Sequence, residues 1–253
     1  MTIDNIPADL LTLTRQLGDP ANDYSIQAEG NTSTRINADS FWVKASGYSM
    51  GSIEPAGFVA MHLEAVLDLL DGADLSTAEL KAALNVARVD PTIGTSPSIE
   101  VCLHALLLTL GEATFVGHTH PTPWNALLCS IHAEAAAGGR AFPDHVVVCG
   151  PAALYIPYTD PGIPLARVVR QRLVAYRAQY SLPPKEILMQ NHGLIALGAS
   201  AAEVLRVTAM SVKAARILLG AYAVGGPVFM TAADIAHIWT RPDEIERRAR
   251  LIG

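Results

Sequence analysis

The 253-residue sequence predicts an α/β fold in which a central sheet, mixed and largely antiparallel, is covered by helices on both faces. Short apolar runs with strand periodicity alternate with longer helical runs through nearly the whole chain. Hairpin patterns and helical crossovers occur together, which favours a mixed sheet. No repeat, low-complexity tract or long linker interrupts the pattern, so we predict that residues 1–253 form a single domain.

The N-terminal part of the chain predicts a helix followed by a hairpin. Residues 6–17 carry helical apolar spacing and end at Gly18, a residue type that often terminates helices. The β-branched and aromatic runs at residues 33–37 and 41–45 flank the turn sequence ADS. This arrangement predicts two short antiparallel strands.

Two helix starts are predicted from capping chemistry. Ser76 and Glu79 have the spacing of a capping box, in which each side chain accepts a hydrogen bond from the backbone N–H of the other residue. Ser96 followed by Pro97 is typical of the first positions of a helix, and the apolar run at residues 98–110 continues it.

The second half of the chain alternates strand and helix patterns. The predicted elements are a strand at 115–120, a helix at 123–131, strands at 145–150 and 153–158, a helix at 165–180, and paired strands at 186–191 and 193–198. Helices fill the remainder, with Gly225, Gly226 and Pro227 breaking the last region.

Composition indicates an enzyme-sized protein that acts on small molecules. Half of the residues are apolar, 17% are charged, and the net charge is −6 with no cluster of Lys and Arg, so neither nucleic acid nor a membrane is an expected partner. No run of 18 apolar residues and no signal-peptide pattern occurs, which predicts a cytoplasmic protein. Cys102, Cys129 and Cys149 lack C-x-x-C spacing, and we expect reduced, buried thiols.

Three histidines stand at predicted strand ends. His118 and His120 are two residues apart on one strand, so their rings project from the same face. His192 follows Asn191 in a tight turn between two apolar strands, where Gly193 supplies backbone freedom. Three imidazole ligands with an open fourth coordination position are typical of a catalytic zinc site. The alternative is that these histidines bind no metal and are simply exposed or hydrogen-bonded.

Glu100 is a candidate proton acceptor. It falls in the first turn of the predicted helix that begins at Ser96 and Pro97, where the helix dipole favours an anion. The alternative is that the Glu100 carboxylate only interacts with the helix dipole and takes no part in proton transfer. His104, one turn later on the same face, is interpreted as a half-buried histidine with its hydrogen bonds satisfied.

Two glycine-bearing turns form another candidate site. The sequences EGNTS at 29–33 and KASG at 44–47 adjoin predicted strands. Their backbone N–H groups, the Asn31 amide and the Ser33 and Ser46 hydroxyls could together bind an anion, although ordinary turns also explain each motif.

The motifs GNTS, KASG, PSIE, HTH and NHG occur here in this order, and together they resemble the class II aldolase and adducin-head family. That family includes fuculose-phosphate and rhamnulose-phosphate aldolases, ribulose-phosphate 4-epimerase and related decarboxylases. The resemblance extends from about residue 8 to residue 225.

The resemblance implies a three-layer αβα fold, one divalent metal ion per subunit and a homotetramer with active sites between subunits. Zinc is the expected ion, and manganese or cobalt is possible. The metal ligands implied are His118, His120 and His192, with Glu100 as the acid/base. The residues implied to bind the substrate's phosphate or equivalent anion are Gly30, Asn31, Ser46, Gly47 and Ser98.

Two departures from the family pattern affect the expected substrate and proton donor. Sugar-phosphate aldolases of this family often read P-S-S-E, and here Ile99 replaces the second serine, which leaves a carboxylate or an uncharged polyol terminus open. The tyrosine that donates a proton in the fuculose enzyme has no clear match. Tyr158, Asp144 and His145 are the candidates considered to replace it.

The expected function is a metal-dependent aldolase that cleaves a ketose phosphate or related hydroxy-keto compound through an enediolate. The alternatives are a decarboxylase of a 3-oxo sugar acid and a sugar-phosphate 4-epimerase. Epimerases of the family tend to carry Asp where this chain has Glu100, and they use a late tyrosine that the sequence after Tyr222 lacks. A non-enzymatic adducin-like module is a further class, but its members generally lack the three histidines.

Overall fold

The computed structural model of this protein describes residues 6–92 and 94–252. The strands are β1 Asn31–Arg35, β2 Ser40–Lys44, β3 Phe58–His62, β4 Phe115–Thr119, β5 Leu154–Ile156, β6 Glu186–Met189 and β7 Gly193–Gly198. The helices are α1 Ala8–Leu17, α2 Leu63–Leu67, α3 Thr77–Val86, α4 Val101–Thr109, α5 Thr122–Leu128, α6 Ala133–Gly138, α7 Pro143–Cys149, α8 Ile163–Tyr180, α9 Ala201–Ala223, α10 Ala232–Thr240 and α11 Pro242–Ile252.

The strands form one sheet in the order β3-β2-β1-β4-β7-β6-β5. Each neighbouring pair is antiparallel except β5 and β6, which are parallel. The predicted mixed, largely antiparallel sheet is therefore confirmed, as are the β1–β2 hairpin and the pairing of β6 with β7. The sheet is open, with β3 and β5 at its edges.

Alternating side chains pack against helices on both faces of the sheet. Ile187 and Met189 of β6 join a large buried cluster that includes residues of α2, α3, α4 and α8. Leu188, between them, joins a second cluster with residues of α5, α6 and α9. Because successive strand residues point to opposite faces, this division places helices above and below the sheet. The predicted three-layer arrangement is confirmed, whereas the limits of a single domain stay a prediction.

The prediction of a strand at residues 145–150 is wrong, because these residues lie in helix α7 and its C-terminal end. Three consecutive valines favour a strand by local propensity. Pro143 at the first helical position, and a buried stripe that includes His145 and Val146, instead produce a helix that packs on α9. Tertiary packing thus overrides the strand propensity, and Gly150 with φ 84° ends the helix.

The predicted start of the helix at Ser96 and Pro97 is also wrong. Pro97 instead forms an isolated bridge with Ala45, and α4 begins at Val101 with Glu100 as its N-cap residue. The Ser76 and Glu79 capping box is present as predicted at the start of α3. Strand β3 was not foreseen from the sequence.

The cysteine prediction is correct for Cys102 and Cys149, which are buried free thiols, and wrong for Cys129, which is exposed. Across residues 6–92 and 94–252, no helix is both long enough and apolar enough to cross a membrane.

A buried ion pair joins the segment before α7 to β6. The Arg140 guanidinium lies 2.9 Å from Oε1 of Glu186, and neither side chain is exposed. Arg140 also donates to the Gly150 carbonyl, and His145 Nε2 lies 3.3 Å from the same carboxylate oxygen. Burial opposes ionisation of Glu186, but Arg140 and His145 outweigh it and lower the carboxyl pKa to about 2.

We predict that Glu186→Gln lowers the free energy of unfolding by about 3–5 kcal/mol, because it leaves the Arg140 charge buried without its partner. Urea titration measures the change. The matched control is Glu112→Gln, which removes an exposed ion pair with Arg177 and should cost about 0–1 kcal/mol. Equal losses in the two variants would contradict the prediction.

The same pair predicts a pH dependence of stability. The folded-state pKa of Glu186 lies below its ordinary value of 4.5, so the stabilisation is fully present above that pH. It should be lost as the pH falls from about 4.5 toward 2, and the Glu186→Gln variant should lose less stability over this range than the wild type.

Candidate metal centre

Three imidazole rings meet where β4 and β7 lie side by side. His118 in β4 is paired with Ile195 of β7, and His192 lies in the turn that leads into β7. His120 follows the last residue of β4. The ring centroids are 4.7 Å apart for His118 and His120, 5.0 Å for His118 and His192, and 5.3 Å for His120 and His192.

The turn that carries His192 differs in detail from the sequence interpretation. Asn191, not Gly193, adopts the left-handed conformation, with φ 52°. Gly193 is required for space instead, because a Cβ there would lie 2.5 Å from the Thr119 carbonyl oxygen and 2.7 Å from the His120 ring. The glycine therefore permits the close approach of the turn to the end of β4.

The histidine nitrogens have the arrangement that a metal ion requires. His118 Nδ1 donates to the Leu194 carbonyl at 3.0 Å, so its Nε2 carries the free lone pair. That Nε2 lies 3.0 Å from Nε2 of His120, close to the roughly 3.3 Å expected for two nitrogens bound at about 2 Å to one tetrahedral ion. One donor atom from each of the three histidines lies within 4.8 Å of the others.

Burial keeps two of these rings neutral. It lowers the pKa of His118 to about 4, and burial together with the neighbouring histidines lowers the pKa of His120 to about 3. Neutral imidazole is the form that binds metal. The chemistry of the three side chains therefore fits a divalent cation.

Glu100 faces the three rings. Its Oε1 lies 3.1 Å from Nε2 of His192 and 3.7 Å from Nε2 of His118, and its Oε2 accepts from Asn31 Nδ2 at 2.7 Å. Although Glu100 is the N-cap residue of α4, its side chain makes no capping hydrogen bond, so the carboxylate serves the cluster and not the helix end.

The pKa of Glu100 is lowered although the side chain is largely buried. Burial does oppose ionisation, but His118, His192 and the Asn31 amide outweigh it and hold the pKa below its usual value. Glu100 is therefore ionised at neutral pH, which is the form that a proton acceptor needs.

A chain of hydrogen bonds with a single possible direction supports this carboxylate. Because ionised Glu100 can only accept, Asn31 must present Nδ2 to it and Oδ1 to His104 Nε2. His104 must then donate from Nε2 and accept at Nδ1 from the Ser33 hydroxyl, 2.6 Å away. His104 has its hydrogen bonds satisfied as predicted, but it is fully buried where a half-buried ring was expected.

The five residues of the predicted anion pocket lie together. They line a cavity of about 200 Å³ that also reaches Glu100 and His120, and they are Gly30, Asn31, Ser46, Gly47 and Ser98. Gly30 has φ 70°, and a Cβ there would lie 2.5 Å from the His118 carbonyl oxygen. The Asn31 side chain is engaged with Glu100 and His104, and the Ser33 hydroxyl is buried against His104, so neither is a free donor to an anion.

Sequence reasoning missed Lys44. Its side chain lines the same cavity, and burial, partly offset by Glu100, lowers the pKa of its ammonium group to about 8. The position is visible in the KASG motif, but every residue of β2 is buried, and a lysine at a buried strand position gives no periodic signal.

The three candidates for a replacement proton donor lie elsewhere or have other partners. Asp144 pairs with Arg247 at 2.8 Å, and the exposed Tyr158 hydroxyl bonds to Asp160. His145 lies with Cys149 and Glu186 in a second group of possible metal ligands, all buried. The Arg140 guanidinium already supplies a cation there.

Solved structures share this fold at low sequence identity. The N-terminal class II aldolase domain of a Thermoplasma acidophilum protein matches with a TM-score of 0.68 and 21% identity over 87% of this chain and 96% of that chain. YgbL from Klebsiella pneumoniae, whose description names aldolase, epimerase and decarboxylase together, matches with a TM-score of 0.64 and 18% identity over 94% and 99%.

L-fuculose-1-phosphate aldolase from Thermus thermophilus matches with a TM-score of 0.60 and 18% identity over 88% of this chain and 100% of that chain. A search of curated proteins finds no match. The sequence itself matches the Class II Aldolase and Adducin N-terminal domain family over residues 8–219. Because this match spans most of the chain, the protein belongs to the class II aldolase and adducin family.

Proposed function

We propose that the protein is a metal-dependent aldehyde-lyase that reversibly cleaves a carbon–carbon bond in a ketose phosphate or a related hydroxy-keto compound. One observation carries this proposal: three imidazole nitrogens converge beside an ionised carboxylate at the end of a cavity. Membership of the class II aldolase family supports an enzyme, and the site supplies the groups that carbon–carbon cleavage needs.

His118, His120 and His192 would hold one divalent ion, with zinc favoured by the all-nitrogen donor set and manganese or cobalt as alternatives. When bound, the ion supplies a Lewis acid that polarises the substrate carbonyl and balances the negative charge that develops as the bond breaks. His118 would be held in its metal-binding tautomer by the Leu194 carbonyl.

Glu100 would move the proton at the nucleophilic carbon. In the condensation direction, its Oε1 takes a proton from the carbon that attacks the aldehyde, and in the cleavage direction the protonated acid returns it. Asn31 holds the other oxygen, Oε2, so Oε1 is the atom directed toward the histidines.

The rest of the cavity would orient a small carbohydrate substrate. Gly30, Asn31, Ser46, Gly47 and Ser98 line its wall, and backbone N–H groups and hydroxyls suit an anionic terminus. We further propose a cytoplasmic homotetramer with active sites at subunit interfaces. Sedimentation equilibrium of the purified protein would test whether it is a tetramer.

Decarboxylation of a 3-oxo sugar acid is the second candidate. Ile99 does not argue against it, since the missing hydroxyl weakens only the argument for a phosphate, and the same site would stabilise the resulting negative charge. Epimerisation of a sugar phosphate is a third route with the same ligands. Product analysis separates them: an aldehyde co-product selects the lyase, carbon dioxide the decarboxylase, and an inverted sugar without fragments the epimerase.

We predict that His118→Ala and His192→Ala lose bound metal and turnover together, because each removes one of three ligands. Elemental analysis of the purified variants and a coupled aldehyde assay with ketose phosphates and 2-oxo acids measure both. His237→Ala, in α10, is the matched control and should keep both. Full cleavage activity in a metal-free variant would end the proposal.

Glu100→Gln should keep the metal but lower kcat about 10²- to 10⁴-fold, because an amide cannot take the proton. Elemental analysis measures the bound metal, and the coupled aldehyde assay measures kcat. The distant Glu112→Gln is the control and should retain wild-type turnover. A Glu100→Gln enzyme with undiminished kcat would remove the carboxylate from the mechanism.

His104→Leu should lower kcat about tenfold to hundredfold with metal content unchanged. Without a donor to its Oδ1, the Asn31 amide can rotate and turn an oxygen toward Glu100. His104→Gln keeps a donor and should recover part of the loss, whereas KM should change little in either variant. Equal kcat in the leucine variant and the wild type would show that the hydrogen-bond chain does not position Glu100.

A further inference from the structure

The two ring nitrogens of His120 face different groups. Its Nε2 lies 3.0 Å from Nε2 of His118 and points toward the other histidines. Its Nδ1 lies 3.9 Å from Oε2 of Glu29. Across residues 6–92 and 94–252, no hydrogen bond engages this Nδ1, so the Glu29 carboxylate is the acceptor that stands nearest to it.

Metal binding requires one particular tautomer of His120. A neutral imidazole carries a single ring proton, and a ring that binds a cation through Nε2 must hold this proton on Nδ1. Without a cation, the opposite tautomer is available. His118 donates from Nδ1 to the Leu194 carbonyl, so its Nε2 can accept a hydrogen bond from an Nε2–H of His120. A group that accepts at Nδ1 of His120 therefore favours the metal-binding tautomer.

Backbone hydrogen bonds hold the Glu29 carboxylate beside this ring. The Ile26 N–H donates to Oε2 of Glu29 at 3.1 Å, and the Glu29 N–H donates to the Ile26 carbonyl at 3.0 Å. The His120 N–H donates to the Tyr24 carbonyl at 2.8 Å, which joins the same segment to the end of β4. Although the Glu29 side chain is 39% exposed, these bonds restrict its rotation.

The separation of Nδ1 and Oε2 is close to that of a direct hydrogen bond. At 3.9 Å it exceeds the usual N–H···O distance by about 1 Å, a gap that rotation of either side chain closes. A hydrogen bond from an imidazole to a carboxylate is stronger than one to a neutral carbonyl. It also makes the imidazole a better metal ligand, because the carboxylate raises its basicity.

A second carboxylate nearby has no such relation to the ring. Asp23 and Glu29 both line a cavity of about 340 Å³ that also reaches His120. Oδ1 of Asp23 accepts from the Thr122 hydroxyl at 3.1 Å, and within the described residues Asp23 forms no ion pair with a histidine. Asp23 therefore supplies a comparison that separates the effect of a nearby negative charge from that of contact with Nδ1.

We infer that Glu29 is a positioning residue of the candidate metal centre, whose carboxylate accepts the Nδ1 proton of His120 and holds the ring ready to bind a divalent cation through Nε2. The Leu194 carbonyl has the equivalent role for His118. This inference rests on the metal centre of the proposed function and is independent of the bond that the enzyme cleaves.

Zinc affinity tests the inference without any assumption about the substrate. Zn²⁺ is titrated into the metal-free full chain in competition with a chromophoric chelator, for wild type, Glu29→Ala, Glu29→Gln and Asp23→Asn. The left-handed backbone at residue 23, with φ 57°, tolerates asparagine, so Asp23→Asn is a conservative control. Urea titration of the metal-free variants checks that each is folded.

We predict that Glu29→Ala weakens zinc binding about tenfold to hundredfold, because the metal-binding tautomer of His120 loses its acceptor. Glu29→Gln keeps an acceptor oxygen and should recover part of the loss, whereas Asp23→Asn should match the wild type. Equal zinc affinity of Glu29→Ala and wild type overturns the inference. Equal losses in Glu29→Ala and Asp23→Asn also overturn it, since they would reflect charge alone.

Nitrogen-15 NMR of the histidine-labelled, zinc-loaded protein gives a readout that a merely structural role would not move. The wild type should show zinc on Nε2 of His120 and a resolved proton on Nδ1. In Glu29→Ala this proton should be lost through exchange with water, while the Nδ1 proton of His118, bound to the Leu194 carbonyl, stays as an internal reference. Zinc on Nδ1 of His120, or an unchanged Nδ1 proton in the variant, contradicts the proposed role.

The same experiments distinguish this inference from the proposed function. Zinc affinity that depends on Glu29, without carbon–carbon cleavage of any substrate, refutes the lyase and leaves the role of Glu29 standing. Cleavage activity together with zinc affinity that is independent of Glu29 refutes the role of Glu29 and leaves the lyase standing. A wild-type chain that binds no zinc at these histidines overturns the inference directly.

Discussion

The antiparallel pairing of β4 with β1 on one side and β7 on the other is the constraint on which the candidate site depends. This pairing sets Asn31 opposite His118 and brings the turn before β7 to the end of β4. Side chains from three separate parts of the chain therefore meet where these three central strands begin or end. A shift of one residue in either register would turn His118 to the other face and disperse the cluster.

Electrostatics in the site follow from this packing. Burial removes water from His118 and His104 and keeps both rings neutral, with pKa values of about 4. Glu100 stays ionised because histidines and the Asn31 amide surround it, so burial does not decide its protonation state. Neutral imidazoles beside an anionic carboxylate are two different environments, which suit the proposed roles of metal ligands and base.

The cavity that holds the candidate site carries charges of both signs, because Glu29 and Glu100 line it together with Lys44. The buried network of Arg140, His145 and Glu186 contributes no lining residue to this cavity, and it attaches α7 to the sheet.

The sequence by itself predicted the layered fold and the order of most elements, and it identified the three histidines and Glu100 as candidate site residues. Periodicity and ordered motifs are local patterns that can be read without coordinates. Sequence reasoning misread residues 145–150, since β-branched residues favour strands locally and only packing on α9 makes them helical. Tertiary structure alone decided the ionisation of Glu100, the direction of the hydrogen bonds that pass through His104, and the position of Lys44 in the cavity. Each depends on contacts between residues far apart in sequence, whose solvation no local pattern encodes.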